Sequence, residues 1–184
     1  MDPLKIIEKY YSKNPKLLEV LIKHSEAVAN KALGIAKKFP NVDSNFIYEA
    51  SMLHDIGVIY TYIPKLNPEG KYPYIAHGYL GREILEKEGL PKHALVCERH
   101  IGVGITKKEI IEKNLPLPKR DMIPLTLEEK IIAFADKFFS KHPDGLVKEK
   151  SVEEIIKELK KYGNEKVKIF KEWLKLFGKE EQNG

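Results

Sequence analysis

Six histidines punctuate this chain of 184 residues, and the ones that matter stand where polar groups are costly. His24 follows Leu21 by three positions and precedes Val28 by four, which puts its imidazole on the apolar, inward face of a helix. His54 and Asp55 close the run Ala50-Ser51-Met52-Leu53-His54-Asp55-Ile56-Gly57. Asp136 interrupts the apolar run Ile131-Ile132-Ala133-Phe134-Ala135. An ionised carboxylate there is expensive unless it is paired or bound to a metal. Four inward-facing polar groups in one small domain ask for a common explanation. Shared coordination of a divalent cation supplies one, because imidazoles and carboxylates from different helices then offset one another's burial cost around the ion. Read singly, the same residues also fit a core histidine, a helix cap and a buried ion pair.

These side chains need rigid elements behind them, and the punctuation is helical almost throughout. Asn14-Pro15 reads as an N-cap with proline at the first helical position, opening a long amphipathic helix over about 15–38 that stops near Pro40. Asp43 or Ser44 caps a second helix, carrying Phe46, Ile47, Ala50 and Leu53, that runs into Gly57. The stretch 60–76 holds three prolines and four tyrosines without a period and reads as a long ordered loop, whose Tyr60, Tyr62, Tyr72 and Tyr74 are candidates to face a substrate ring. Helical patterns return at about 78–88 and 91–100. Three capping boxes, Thr106 with Glu109, Thr126 with Glu129 and Ser151 with Glu154, then announce further helices. No β-branched alternation is long enough to demand a sheet. The expectation is an all-α chain folded as a single domain over 1–184: a compact helical bundle with its core at about 15–140, followed by a charged helical pair at about 151–177. The stripe Ile169, Phe170, Trp173, Leu174 and Phe177 on that pair is core or a homodimer face.

The arrangement of His24, then His54-Asp55-Ile56-Gly57, then an Ala-Asp about eighty residues on, resembles the HD-domain superfamily of metal-dependent phosphohydrolases in its HDIG form. The resemblance spans roughly residues 20–140. It implies an HD-domain helical bundle in which His24, His54, Asp55 and Asp136 hold a first divalent metal ion. In branches with two ions a further pair of histidines lies between the HD dipeptide and the last aspartate, and His77 and His100 stand in that interval. The whole pattern resembles the two-metal branch, with Asp55 bridging the ions as the central catalytic carboxylate. Iron or manganese are the usual occupants that the resemblance implies, and a nitrogen and oxygen ligand set is equally compatible with zinc, cobalt or nickel. The implied activity is hydrolysis of a phosphomonoester or phosphodiester bond in a small nucleotide-like substrate by a metal-activated hydroxide.

Within that superfamily the chain departs from cyclic-di-GMP phosphodiesterases of the HD-GYP type. Val58 stands where they have lysine after HDIG, and Gly78-Tyr79-Leu80 lacks the proline of their second motif. The layout is more similar to small stand-alone archaeal HDIG proteins of unassigned role, to dinucleoside polyphosphate hydrolases, and to a 2′,3′-cyclic phosphodiesterase of archaeal pterin synthesis. Arg82, Arg99 and Lys137 each lie one or a few residues from an implied ligand, so they are the candidates for phosphate contacts. His93 reads as a supporting or surface residue, and His142, before Pro143, as a loop residue outside the ligand set. Cys97, the lone cysteine, reads as a small buried hydrophobe.

Composition narrows the alternatives. A hydrophobic share of 42% and a charged share of 32% exclude collagen-like and disordered classes. No apolar run reaches the roughly 18 residues of a membrane span, the N-terminus lacks a secretory pattern, and one cysteine allows no internal disulfide; a cytoplasmic protein is expected. The net charge of +5 suggests nucleic acid at first. From Lys148 to Glu181, however, ten lysines interleave with eight glutamates, the mark of a solvated helix face, which argues against nucleic acid as the partner. The competing class is a non-catalytic, metal-stabilised nucleic-acid-binding or regulatory module.

Overall fold

The structure, a computed structural model, describes residues 1–141 and 145–178. Among them the architecture is all-α, with nine helices and isolated β-bridges but no strand. No helix among the described residues is long and apolar enough to cross a membrane.

The first helix, α1 (Pro3–Tyr11), is one that periodicity did not mark. It is short, and only Pro3, Ile7 and Tyr11 bury themselves; Asp2 caps it by accepting from the Leu4 amide at 3.1 Å. Then α2 (Pro15–Ala36) starts as expected, with Asn14 accepting from the Leu17 amide at 3.1 Å, and α3 (Ser44–Leu53) starts under Asp43, which accepts from the Phe46 amide at 2.9 Å. A 3₁₀ turn, Ile56–Tyr60, follows the His54-Asp55 corner. The loop after it is held from within: Asn67, 5% exposed, donates to the carbonyls of Ile59 and Thr61 at 2.7 and 2.8 Å. A second 3₁₀ turn, Tyr74–Ala76, runs directly into α4 (His77–Lys87), which is followed by α5 (Pro91–Arg99) and α6 (Lys107–Glu112). The chain closes with α7 (Leu127–Asp136), α8 (Val152–Lys160) and α9 (Asn164–Phe177).

Two of the three capping boxes form in full, at Thr106 and Ser151. At the third, Thr126 accepts from the Glu129 amide, but the Glu129 carboxylate turns to the Leu125 amide and to Arg99 instead of closing the box.

Two apolar clusters hold the helices together. One joins α2, α3 and α7 to the C-terminal pair through Ile35, Ile47, Ile131, Phe134, Phe170 and Trp173; the other packs α1 against α2, α3 and α5 through Ile7, Tyr11, Leu21, Leu53 and Cys97. The C-terminal stripe is thus core: Phe170 stacks on Phe134 at 5.4 Å between centroids, and Phe170, Trp173 and Phe177 are buried. Because α2 and α3 belong to both clusters, the residues they carry at His24 and His54 are fixed from two sides.

Candidate metal centre

Each imidazole of the centre is aimed by a local device. The Nδ1–H of His54 donates to the Ser51 carbonyl at 2.6 Å, that of His77 to Tyr74 at 2.6 Å and that of His100 to Cys97 at 2.7 Å. A carbonyl only accepts, so Nδ1 carries the proton in all three rings and Nε2 of the neutral ring presents a lone pair to the centre. All three bonds reach back three residues; Ser51 and Cys97 lie in the last turns of α3 and α5, where carbonyls are free to accept, and Tyr74 opens the 3₁₀ turn before α4. His24 projects from the middle of α2 and its Nδ1 has no hydrogen-bond partner.

The HDIG corner is positioned by what it lacks. A Cβ on Gly57 would lie 2.1 Å from the His77 carbonyl oxygen and 2.4 Å from the Gly81 nitrogen, so only glycine lets α4 approach this closely. From the opposite side the Tyr11 hydroxyl donates to the Ile56 carbonyl and accepts from the Ile59 amide, both at 2.9 Å. Cys97 donates its S–H to the His54 carbonyl at 2.8 Å, and burial pushes its thiol well above the ordinary range, which leaves it a packing residue rather than a nucleophile.

The structure brings His24, His54, Asp55 and Asp136 into one cluster and Asp55, His77 and His100 into a second. Asp55 belongs to both, and its two oxygens divide between them. Oδ2 lies 3.1 Å from Nε2 of both His24 and His54, while Oδ1 lies 3.3 Å from His77 and 3.4 Å from His100. The remaining separations fall in the same band: His24 to His54 at 3.3 Å, His77 to His100 at 3.2 Å, and Asp136 at 3.0 and 3.4 Å from His24 and His54.

That band tests whether a metal fits. Donors bonded at about 2.1 Å to one ion stand about 3.0 Å apart at right angles and about 3.4 Å apart in a tetrahedron. Lone pairs of His77 and His100 facing each other repel unless a cation or proton lies between them. Asp55 Oδ1 is buried and faces only the His77 and His100 imidazoles, a costly state that a bound cation relieves, while Oδ2 also meets the Lys141 ammonium. The donor set therefore fits divalent ions, as two clusters sharing one carboxylate.

A model of the HD domain matches residues 21–141. The chain belongs to the HD-domain family. This HD domain is 42% identical over 134 residues to an uncharacterized protein of Methanocaldococcus jannaschii, covering 72% of this chain and 70% of the relative. It is also 36% identical over 123 residues to a tRNA (cytidine(56)-2′-O)-methyltransferase of Thermoplasma volcanium, and 35% identical over 123 residues to that of Picrophilus torridus. Those matches cover 66% of this chain and 32% of each methyltransferase, so the chain spans about a third of their length. Among solved structures, the HD domain of the L. monocytogenes phosphodiesterase PgpH shares the fold, with a TM-score of 0.53 at 20% identity over 92% of this chain and 94% of that one. The same domain in complex with cyclic-di-AMP gives a TM-score of 0.52 over the same shares.

Electrostatics separates the two clusters of the HD centre. Burial disfavours the charged form of His54, but Asp55 and Asp136 outweigh it and hold the imidazole up at about 10. Burial of His77 is not overcome by its one facing carboxylate oxygen, and the positive charges of His100 and Lys141 add to it, so its pKa falls to about 3. His100 is lowered by burial in the same way. Burial works against ionisation of Asp55 too, yet Lys141 and His54 keep it well below the usual carboxylate range; Lys137, His24 and His54 do the same for Asp136.

A cavity of about 350 Å³ opens on the centre, lined by His77, His100 and Asp136 with Tyr74, Lys137 and Lys141 around them. Of the three cations expected at phosphate, Lys137 lines this cavity, with Nζ 3.5 Å from Asp136. Arg82 and Arg99 are not among the residues lining it. Both are spent on buried acids that adjacency in sequence could not reveal. Arg82 binds Glu98 at 2.6 Å and Glu86 at 2.7 Å, Arg120 also pairs with Glu98, and Arg99 binds Glu129 at 2.9 Å.

The cation that sequence reasoning missed is Lys141, whose Nζ lies 2.5 Å from Asp55 Oδ2 and 3.2 Å from His24 Nε2. It follows α7 in irregular chain, where no periodic pattern indicates a direction. Of the tyrosines, Tyr74 lines the cavity with its ring 4.7 Å from that of His77, whereas Tyr60, Tyr62 and Tyr72 are exposed and do not line it. His93 sits apart, paired with Glu49 at 3.2 Å; His142 lies outside the described residues.

Proposed function

We propose that this HD-domain protein is a metal-dependent phosphohydrolase, cleaving a phosphomonoester or phosphodiester bond in a small nucleotide-like molecule. The observation that carries the reading is the Asp55 carboxylate, fully buried and turned with one oxygen toward each imidazole pair. The phosphodiesterase HD domain that shares the fold, and its complex with cyclic-di-AMP, support it.

In this reading His24, His54 and Asp136 hold one divalent ion, His77 and His100 a second, and Asp55 both. Iron or manganese are the proposed occupants. Such ions supply Lewis acidity, which acidifies water and polarises phosphoryl oxygens. The chain's own residues do the rest. The Ser51, Tyr74 and Cys97 carbonyls fix the direction of three imidazole lone pairs, so no reorientation is needed as substrate arrives. Lys137 and Lys141 place positive charge at the cavity wall, where the phosphoryl oxygens gather negative charge. Ile63 and Leu66 add apolar surface to the cavity lining. Within the same class, a 2′,3′-cyclic phosphodiesterase and a dinucleoside polyphosphate hydrolase remain the two closest alternatives for the ester cleaved.

A second reading, a metal-stabilised module that serves nucleic acid without hydrolysis, is favoured by the matches to two tRNA methyltransferases. The experiment that separates the readings is metal analysis and turnover on one preparation, with Mn²⁺ or Fe²⁺ added and a panel of phosphate esters and nucleotides offered. Two ions per chain with hydrolysis of a panel member supports the enzyme. Full metal content with no member hydrolysed overturns it.

A further inference from the structure

The HD match ends at residue 141, yet the C-terminal pair α8 and α9 helps to build a second cavity that opens on the metal centre. This groove, of about 360 Å³, shares Tyr74, His77, Ile101, Gly102 and Lys137 with the first cavity. Its far wall is Ile155 and Leu159 of α8 with Tyr162 in the turn beyond, and its near wall is the loop of residues 101–105. At the junction Gly102 has a positive φ of 63°, and nothing lies within 4 Å of the place a Cβ would take, so bare backbone leaves the passage between the lobes open.

The charged groups around the groove are largely committed to one another. Lys166 donates to the Gly104 carbonyl and to Glu109, both at 2.7 Å; Lys113 lies 3.7 Å from Glu109; Glu158 lies 2.8 Å from Lys150. What the groove offers a ligand is therefore mostly apolar side chain between two tyrosine rings, and Lys137 stands where it meets the metal-facing lobe. A cation at the junction, metal ligands on one side and an apolar slot on the other suit a phosphate ester whose organic half carries a flat ring. A lobe of this volume is at the lower end of the range for whole ligands, so it holds a ring system and is oversized for phosphate or a methyl ester.

We propose that this groove is the specificity subsite of the HD centre, and that Leu159 and Tyr162 of the C-terminal extension select esters bearing an aromatic ring. The proposal rests on the phosphohydrolase reading for the placement of the phosphate, and its test is by binding so that the two fail separately. Full-length, metal-loaded protein is titrated calorimetrically with adenosine 5′-monophosphate, phenyl phosphate and methyl phosphate. At least one ring-bearing ester should bind ten-fold or more tightly than methyl phosphate. Tyr162→Ala, at an exposed position, and Leu159→Phe, which narrows the slot, should each cut that preference at least three-fold, with methyl phosphate affinity and metal content unchanged. Tyr162→Ala carries the test if Leu159→Phe fails to fold. Equal affinity for all three esters, or a preference that survives Tyr162→Ala, overturns the subsite. A ring preference lost in the variant, in a protein that hydrolyses nothing, keeps the subsite and removes the hydrolase. Hydrolysis without ring preference does the reverse.

Discussion

The two halves of the metal centre use the same donor atoms and differ in charge. The half built on α2, α3 and α7 sets Asp136 and one Asp55 oxygen against two imidazoles, and these carboxylates hold His54 protonated up to about 10 although the Lys141 ammonium also meets Asp55. The half built on α4 and α5 has one shared carboxylate oxygen for two imidazoles, and His77 stays neutral down to about 3. The first half is a site that demands positive charge even when no metal is present; the second is a nearly neutral pair that gains a cation at smaller electrostatic benefit. Two ions held by such halves should differ in affinity, the first being the tighter.

The largest effect is expected where the halves meet. Asp55→Asn keeps the shape and removes the charge common to both, so turnover should fall by more than about 100-fold, as loss of a directly binding carboxylate exceeds the 10–100-fold cost of losing an outer partner. Metal analysis should show both ions weakened, with circular dichroism unchanged. Retention of two tight ions by this variant would remove the bridging role. Single losses should then split the halves. His100→Gln should leave about one ion per chain, and Asp136→Asn should weaken the tighter ion; an equal loss in both variants breaks the comparison.

The metal-free protein offers a test by pH. His54 is raised above its unfolded value of about 6.5, so its contribution to stability is fully present below that pH and is lost as pH rises toward 10. His77 is lowered, so the unfolded chain binds the extra proton between about 6.5 and 3, and stability falls as pH drops through that window. Metal-free His54→Asn should flatten the alkaline limb of the urea-unfolding profile and metal-free His77→Asn the acid limb, each by a few kcal/mol at the far end. If both variants flatten the same limb, the assigned charges are wrong.

Legibility in the sequence followed the same division between what is local and what is assembled. Helices with caps and long apolar periods, such as α2 and α3, are readable because Asn14 and Asp43 satisfy amides within their own turn. The clustering of His24, His54, Asp55 and Asp136 is readable because a polar residue on an apolar face is an anomaly that needs a partner, whereas His77 and His100 were marked only by the family resemblance. Helix α1 was missed because it buries only one turn-spaced row, Pro3, Ile7 and Tyr11. The pairing of Arg82 and Arg99 was not legible because their partners, Glu98 and Glu129, are defined by packing: Glu129 lies thirty positions from Arg99, where no spacing rule applies. Lys141 and the groove wall at Tyr162 were invisible for the same reason, since each meets the centre only through the path of the folded chain.

Gly57→Ala probes the subtlest part of the comparison, because the damage should be one-sided. The new methyl meets backbone, the His77 carbonyl and the Gly81 nitrogen, and backbone of a packed helix cannot rotate away as a side-chain tip does. Relief must come from α4 moving away from the HDIG corner, at a cost of about 1–3 kcal/mol for overpacking. That displacement carries His77 with it, whereas His24 and Asp136 stand on α2 and α7, and His54 caps α3; none of them supplies the atoms nearest the new methyl. The weaker ion should be lost first and the tighter one retained, with a lowered melting temperature that added metal restores only in part. Equal loss of both ions would mean that the halves are not mechanically separate, and that the charge difference between them is carried by one rigid unit.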